Sequence, residues 1–303
     1  MKMKFNKFIY ALAPMAGVTD FAFRKICADF GADMVVSEMI SLKALENKSF
    51  KTEKMLREES TAIKCCQLFG HETESIEKAF TSNLFDNFDV IDFNCGCPAP
   101  KIVKNKDGSA MMKDIENTRK VISALVNHSK KPVSVKFRLG IEDNLNYIEF
   151  AKMCEDCGVS FLTLHARTRE QGYSGTVDKS AYKKLIDNVN IPVFWSGDIA
   201  TKEDVEYAKT IGCAGVMIGR NALGNPEIFS KLQNKKAPYS KKDAIVKHLE
   251  LLKTYYKTER TLVAYFKKHL MWYVRAMNNA TAIKIKILEF STLKQIEELI
   301  NSL

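Results

Sequence analysis

The chain of 303 residues is long enough for one large domain and a small one, but too short for several independent hydrophobic cores. Its composition, 46% hydrophobic and 27% charged, excludes a disordered or collagen-like chain. The net charge of +10 is uneven: residues 231–303 carry 15 Lys and Arg against 6 Asp and Glu, whereas residues 1–230 carry 31 against 30. Charged runs are usually solvated helix faces, but an excess of this size in one segment favours a polyanionic partner.

The N-terminal segment does not read as a targeting signal. Its apolar run from Phe8 to Leu12 is short and meets Pro14, and no stretch of the chain reaches the ~18 apolar residues of a membrane helix. We therefore expect a cytoplasmic protein with reduced cysteines and no membrane contact. Cys154 and Cys157 fall on a helical pattern, where core packing is favoured over redox or metal work, and no metal site is predicted.

Short β-rich runs alternate with helical stretches through the first 230 residues. Helical patterns lie at residues 20–30, 74–85, 118–126 and 202–211. The candidate strands are residues 8–13, 34–36, 62–67, 90–93, 133–137, 161–164, 193–194 and 215–218. Eight βα units of this length predict a closed (β/α)8 TIM barrel more than an open sheet.

From about residue 237 the pattern is helical only. Ser240 and Asp243 form a helix start signal, and further apolar stripes predict a second helix around residues 262–277 and a third around 293–300. The alternating segment 283–287 fits a strand by period, but helical neighbours favour a helix. The chain is thus predicted to comprise a catalytic barrel, residues 1–236, and a basic helical domain, residues 237–303.

Polar residues follow the predicted strands, at the face where barrel enzymes carry their active sites. Gly197, Gly219 and Arg220 follow the last two strands, where a phosphorylated cofactor fits, although glycine also serves simple turns. Lys136 ends a buried strand and needs a partner, which a reduced flavin would provide; a lysine reaching solvent past the rim is the alternative. Gln67 could hydrogen-bond the pyrimidine edge of the same ring.

Cys97, within Asn94-Cys95-Gly96-Cys97-Pro98, is the sharpest catalytic candidate. A thiol with a pKa of about 8.5 is protonated near pH 7 and could act as a general acid opposite a flavin. A nucleophilic cysteine would want a histidine beside it, but His165 ends a different strand, where a phosphate or ring contact is equally expected. A simple turn is the remaining alternative.

Ordered motifs run along nearly the whole chain. They are Ala13-Pro14-Met15-Ala16-Gly17-Val18-Thr19-Asp20, Ser37-Glu38-Met39, Gln67-Leu68-Phe69-Gly70, Ile91-Asp92-Phe93-Asn94-Cys95-Gly96-Cys97-Pro98, Gly108-Ser109-Ala110, Val135-Lys136-Phe137-Arg138-Leu139-Gly140, His165-Ala166-Arg167-Thr168-Arg169, Tyr173-Ser174-Gly175, Gly197-Asp198-Ile199, Gly219-Arg220 and Gly224-Asn225-Pro226. Together these motifs resemble the tRNA-dihydrouridine synthase family, and the C-terminal Lys268-His269 and Trp272-Tyr273 are similar to its bacterial B-type branch.

The resemblance implies a cofactor, a substrate and a reaction. NADPH or NADH would reduce FMN, the reduced flavin would transfer hydride to C6 of a uridine in tRNA, and Cys97 would protonate C5. Asn94 would orient the uracil, and Arg167 and Arg169 would contact RNA phosphate. Ser196 stands where the family usually has Asn, and a backbone N–H could make the same contact. FMN would be bound by Pro14, Met15, Ala16, Gln67, Lys136, His165, Ser196, Gly197, Asp198, Gly219 and Arg220.

The same resemblance implies that the basic helical domain binds the tRNA backbone. We predict Lys267, Lys268 and Lys284 as candidate contacts, and a monomer without an obligate protein partner. One alternative is a flavin-dependent barrel oxidoreductase acting on a free pyrimidine or another small molecule, which would not need the +9 segment. Another is a tRNA-binding chaperone without chemistry, against which the intact Cys97, Lys136 and His165 argue.

Overall fold

Eight parallel strands form a closed barrel in the computed structural model, which describes residues 3–49, 52 and 55–303. Strand β1 pairs with both β2 and β9, and β2 pairs with the first half of β4, which closes the barrel. The two-residue β3 pairs with the last residues of β4 at the rim. The predicted TIM barrel is confirmed. The strands are β1 (Ile9–Leu12), β2 (Met34–Val36), β3 (Ile40–Ser41), β4 (Ile63–Phe69), β5 (Val90–Cys95), β6 (Val133–Arg138), β7 (Phe161–His165), β8 (Val193–Ser196) and β9 (Gly215–Ile218).

Alternation along the strands divides the barrel into an interior and an outer layer. In β1, Ile9 and Ala11 belong to the core inside the barrel, whereas Tyr10 and Leu12 belong to the layer beneath the surrounding helices. Both sets are buried, which explains why the strands read as continuous apolar runs. Polar residues in phase with the interior positions therefore point into the barrel near its C-terminal face.

Helices cover the outside of the barrel. The predicted helix 74–85 stops early because the Thr81 and Ser82 hydroxyls donate to the carbonyls of Lys78 and Ala79, which favours a turn. The helices are α1 (Phe21–Asp29), α2 (Leu42–Glu46), α3 (Thr73–Ala79), α4 (Pro100–Lys104), α5 (Ile115–His128), α6 (Tyr147–Asp156), α7 (Lys179–Ile186), α8 (Lys202–Thr210) and α9 (Ile228–Leu232).

Four more helices form a second hydrophobic core at the C-terminal end, α10 (Lys241–Lys253), α11 (Glu259–Tyr273), α12 (Ala280–Glu289) and α13 (Leu293–Ser302). Ser240 and Asp243 form the predicted capping box at the start of α10, and segment 283–287 is helical, as favoured. Phe21 and Ala22 of α1 belong to this second core, so the barrel and the C-terminal helices share packing. Among the described residues, none of the helices has the length and apolar character needed to cross a bilayer.

Candidate active site

A cavity of about 980 Å³ opens at the C-terminal ends of the strands. Its volume is in the range that binds cofactors and drug-sized ligands. The predicted site residues line this cavity, except for Gln67 and Arg167. These two contact the lining residues Asn94 and Asp198, respectively. Those that line it are Pro14, Met15, Ala16, Asn94, Cys97, Lys136, His165, Arg169, Ser196, Gly197, Asp198, Gly219 and Arg220.

A chain of buried polar side chains supports the floor of the cavity. The Asn94 amide donates to Gln67 Oε1 at 2.9 Å, and Gln67 Nε2 donates to Asp92 Oδ2 at 2.7 Å. The Ser134 hydroxyl donates to the other Asp92 oxygen at 2.6 Å. Burial raises the pKa of Asp92 to about 6, although both hydrogen bonds favour the carboxylate. The sequence interpretation assigned no role to Asp92, which its two-residue spacing from Asn94 places on the same interior face.

Lys136 enters the cavity as a cation without a fixed partner. It makes no hydrogen bond or ion pair with any residue that the structure describes, and it lines the cavity wall. Burial first, and then the positive charge of Arg138, lower the pKa of its ammonium group to about 8, against the opposing charge of Asp92. An anionic ligand in the cavity would relieve this cost.

Cys97 is held at the cavity edge by its own backbone. The N–H groups of Gly96 and Cys97 donate to Asn94 Oδ1 at 3.1 and 2.9 Å, so the side chain of Asn94 shapes the loop. Burial raises the pKa of the Cys97 thiol above its ordinary value, while the Ala99 N–H and the charges of Arg138 and Lys136 oppose the shift. The thiol is therefore protonated near neutral pH and can donate a proton.

Arg138 fastens the Cys97 loop to the opposite wall. Its guanidinium is buried and donates to the carbonyls of Gly96, Thr168 and Gly172 at 2.7 to 2.9 Å. The ring of Tyr173 lies 5.6 Å from the Arg138 guanidinium. The sequence interpretation included Arg138 in a family motif but gave it no role, because its burial depends on these distant carbonyls.

Asp198 forms ion pairs with two arginines beside His165. Arg167 donates to both Asp198 oxygens and to the carbonyls of Ser174 and Gly175, and Arg220 donates to Asp198 Oδ1 at 2.8 Å. Arg167 was predicted to contact RNA phosphate, but its side chain is 1% exposed and is paired with Asp198, so it is not an accessible cation in this structure. Its position follows from β7, after which the chain turns so that the guanidinium points inward toward the carboxylate.

His165 is neutral and has a fixed tautomer. Burial lowers its pKa, and the surrounding cations, with Lys136 and Arg138 first among them, lower it further. Arg167 Nη1 lies 3.2 Å from His165 Nε2, and because an arginine only donates, Nε2 must accept. The proton of the neutral ring therefore resides on Nδ1, which remains available as a donor.

Gly197 is required by its surroundings. Its φ is +115°, and a Cβ there would lie 2.7 Å from Val177 Cγ1 and 2.8 Å from His165 Cδ2. The next residue, Asp198, also has positive φ, at +55°. This backbone brings peptide groups close to the cavity beside Ser196, as expected where a ligand approaches main chain.

The outer rim is formed by longer side chains. Arg169 lies 3.4 Å from Glu142, and the exposed ring of Tyr173 lies 5.1 Å from the guanidinium of Arg220. Arg275, just beyond α11, also lines the cavity. Tyr173 and Arg275 were not assigned from sequence, and the period of the C-terminal helices gives no signal that Arg275 faces the barrel.

Comparison with solved structures shows the barrel fold. A variant of NCR from Zymomonas mobilis superposes with a TM-score of 0.54 at 16% identity, over 78% of this chain and 91% of that one. Mandelate oxidase with (S)-2-phenylpropionate superposes with a TM-score of 0.50 at 18% identity, over 74% of this chain and 70% of that one.

Comparison of sequences identifies the family. A probable tRNA-dihydrouridine synthase of Rickettsia conorii is 37% identical over 308 residues, covering 93% of this chain and 92% of that protein. tRNA-dihydrouridine synthase B of Vibrio cholerae is 34% identical over 285 residues, covering 90% and 88%. The family model for dihydrouridine synthase (Dus) matches residues 11–302. The chain therefore belongs to the dihydrouridine synthase family.

Proposed function

We propose that this protein is a tRNA-dihydrouridine synthase that reduces uridines in tRNA to 5,6-dihydrouridine with FMN and NADPH or NADH. The observation that carries the proposal is the joint presence, in one cavity, of a protonated thiol at Cys97 and an unpartnered cation at Lys136. A reduction of a carbon–carbon double bond needs a proton donor, and the flavin needs a cation beside its ring. Family membership supports this reading over a reductase of free pyrimidines.

The cavity residues fit FMN. Lys136 offers a cation at the strand ends, and the main chain at Gly197 approaches the cavity where a Cβ would collide with neighbours. Gly219, Arg220 and the Nδ1–H of His165 supply donors suited to a phosphate or a polar ring edge. Pro14, Met15 and Ala16 form the adjoining wall. When bound, FMN would supply the two electrons that saturate the uracil C5–C6 bond.

The chain's own residues then act on uracil. Cys97 holds its proton because burial raises the pKa of its thiol, and it would deliver that proton to C5. Asn94 accepts from two loop N–H groups while its amide donates to Gln67, so its orientation is set, and it faces the cavity. Gln67 thus acts through Asn94 as a positioning residue in this proposal, and Arg169 is a rim cation proposed to contact RNA.

We further propose that residues 237–303 form the tRNA-binding unit and that residues 1–236 form the catalytic one. The positive charge of the C-terminal segment supports this division. Within it, Lys267 donates to the carbonyls of Leu288 and Phe290 at the end of α12, which makes it a structural cation. Lys284 remains a candidate contact. A cavity built from a single chain fits a monomer, and the tRNA substrate fits a cytoplasmic location.

The test is direct. The purified protein is examined for bound flavin by absorbance and incubated with unmodified tRNA and either nicotinamide dinucleotide, and dihydrouridine is measured by nucleoside mass spectrometry. Cys97→Ala should retain flavin and tRNA binding but lose product, whereas the control Cys157→Ala, a partly exposed thiol outside the cavity, should be active. A colourless, inactive wild-type protein would refute the function, and full turnover by Cys97→Ala would remove Cys97 from it.

A further inference from the structure

Arg275 is an exposed cation that the C-terminal helices extend over the cavity. It lies in the short 3-10 turn Val274–Ala276 that follows α11. Among the residues that line the cavity, Arg275 is the one that comes from segment 237–303. Its guanidinium makes no hydrogen bond or ion pair with any residue that the structure describes. A side chain with five donors therefore faces the cavity mouth unused.

The other arginines of the cavity wall differ from Arg275 in this respect. Arg138 is committed to backbone carbonyls, Arg169 is paired with Glu142, and Arg220 is paired with Asp198. Lys136 is unpaired too, but it lies deeper, at the end of β6, where the cofactor is proposed to bind. Arg275 is thus the available cation on the outer, helical side of the cavity.

Its surroundings are also positive. Lys241, at the start of α10, makes no hydrogen bond or ion pair within the described chain. Burial lowers the pKa of Lys241, Glu227 opposes that shift, and the charges of Lys231 and Arg275 add to it. Glu227 is itself paired with Lys231 at 2.8 Å. The positive charges of Lys241 and Arg275 thus disfavour each other, and an external anion would offset that repulsion.

We propose that Arg275 binds a backbone phosphate of tRNA beside the uridine that enters the cavity. This inference rests on the proposed function. An extruded nucleotide leaves its flanking phosphates at the mouth of the pocket, which is where Arg275 lies, and a guanidinium binds phosphate with two parallel hydrogen bonds. The phosphates of the nicotinamide dinucleotide have the same chemistry, but Arg275 belongs to the segment that carries the positive excess, as a polyanion contact requires.

The test compares Arg275→Gln with Arg260→Gln. Arg260 is exposed on the first turn of α11 and Arg275 follows its last turn, so each variant loses one positive charge, at opposite ends of the helix. Flavin content, the rate of flavin bleaching by NADPH, the KM for tRNA and the salt dependence of tRNA binding are measured for each holoenzyme. We expect Arg275→Gln to raise the KM for tRNA roughly tenfold and to reduce the log–log salt slope by about 0.7 to 0.9.

Flavin content and bleaching should stay at wild-type values in Arg275→Gln, and Arg260→Gln should match the wild type throughout. Arg275→Lys should restore the salt slope, because it keeps the charge. An unchanged KM for tRNA, or an equal rise in Arg260→Gln, overturns the inference. A higher KM for NADPH or a loss of flavin, with tRNA binding unchanged, also overturns it and assigns the cation to the other phosphate. Wild-type protein that makes no dihydrouridine refutes the proposed function instead, and the binding slopes are still measurable in that case.

Discussion

Lys136 changes charge within an accessible pH range, which allows its role to be measured. Its pKa of about 8 means that about nine-tenths of the side chains are charged at pH 7 and about one-tenth at pH 9. If the charged form is the one that holds FMN, the affinity of the flavin-free protein for FMN falls about tenfold over this interval. The second pKa of a phosphate monoester is about 6, so the charge of the ligand phosphate is nearly constant there.

The assay is a titration of FMN fluorescence with flavin-free protein from pH 7 to pH 9. Lys136→Met should bind FMN weakly and without a pH step, whereas Lys136→Arg should bind without a step because its guanidinium stays charged. A flat wild-type curve, or a step that persists in Lys136→Met, would refute the reasoning.

Folding stability should respond to pH with the opposite sign. The ordinary lysine pKa is about 10.4, so between pH 8 and that value the unfolded chain binds more protons at this position than the folded one. The free energy of unfolding of the flavin-free protein should therefore rise with pH in that window, relative to Lys136→Met. Denaturant titration at several pH values measures this difference, and a falling difference would contradict the lowered pKa.

Three further substitutions test the supports of the site. Asp198→Asn should reduce the flavin content of purified protein and destabilise it by about 2 kcal/mol, since Arg167 loses its counter-charge while the partly exposed position softens the loss. Gly224→Ala should lower the free energy of unfolding by about 3 kcal/mol, because the new Cβ would lie 2.2 Å from the backbone of α11. Gly175→Ala has a similar φ but open space around the new Cβ, so it should lower this free energy by about 1 kcal/mol. The denaturant midpoint measures both changes. Burial, and then the charge of the neighbouring His248, lower the pKa of His269 to about 4, so between pH 6.5 and 4 the unfolded chain binds a proton that the folded chain does not. The free energy of unfolding of the wild type should therefore fall by about 3 kcal/mol over this interval, and His269→Gln should remove that fall. Denaturant titration at both pH values measures the difference.

The barrel could be predicted because its strands are buried on both faces. Such strands appear as short apolar runs bounded by polar or glycine residues, and all eight predicted runs overlap observed strands. Their common direction then brings the residues that follow them to one face, which is why Cys97, Lys136 and His165 could be placed in one cavity. The ends of the helices were harder to predict, because each end depends on a few capping or turn hydrogen bonds between side chains and backbone groups three or four residues apart.

The hydrogen-bond and ion-pair partners of the polar side chains could not be predicted, because those partners are distant in sequence. Arg167 and Arg169 look alike in the sequence, yet one is buried against Asp198 and two loop carbonyls while the other lies at the rim. Asp92 is likewise defined by Gln67 and Ser134, from neighbouring strands. Burial of a charge requires several such partners to coincide, and only the folded chain shows that they do.

The same dependence on distant partners fixes α11 to the barrel. Asp20, which caps α1 directly after the loop carrying Met15 and Ala16, accepts the Tyr265 hydroxyl at 3.1 Å and lies 2.9 Å from His269 Nε2. Because Tyr265 and His269 are one turn apart, this junction sets both the position and the rotation of α11. Arg275 follows the helix end, so its place over the cavity derives from the barrel itself. A contact held in this way would position a bound nucleotide over Cys97, which a flexibly tethered domain would leave to diffusion.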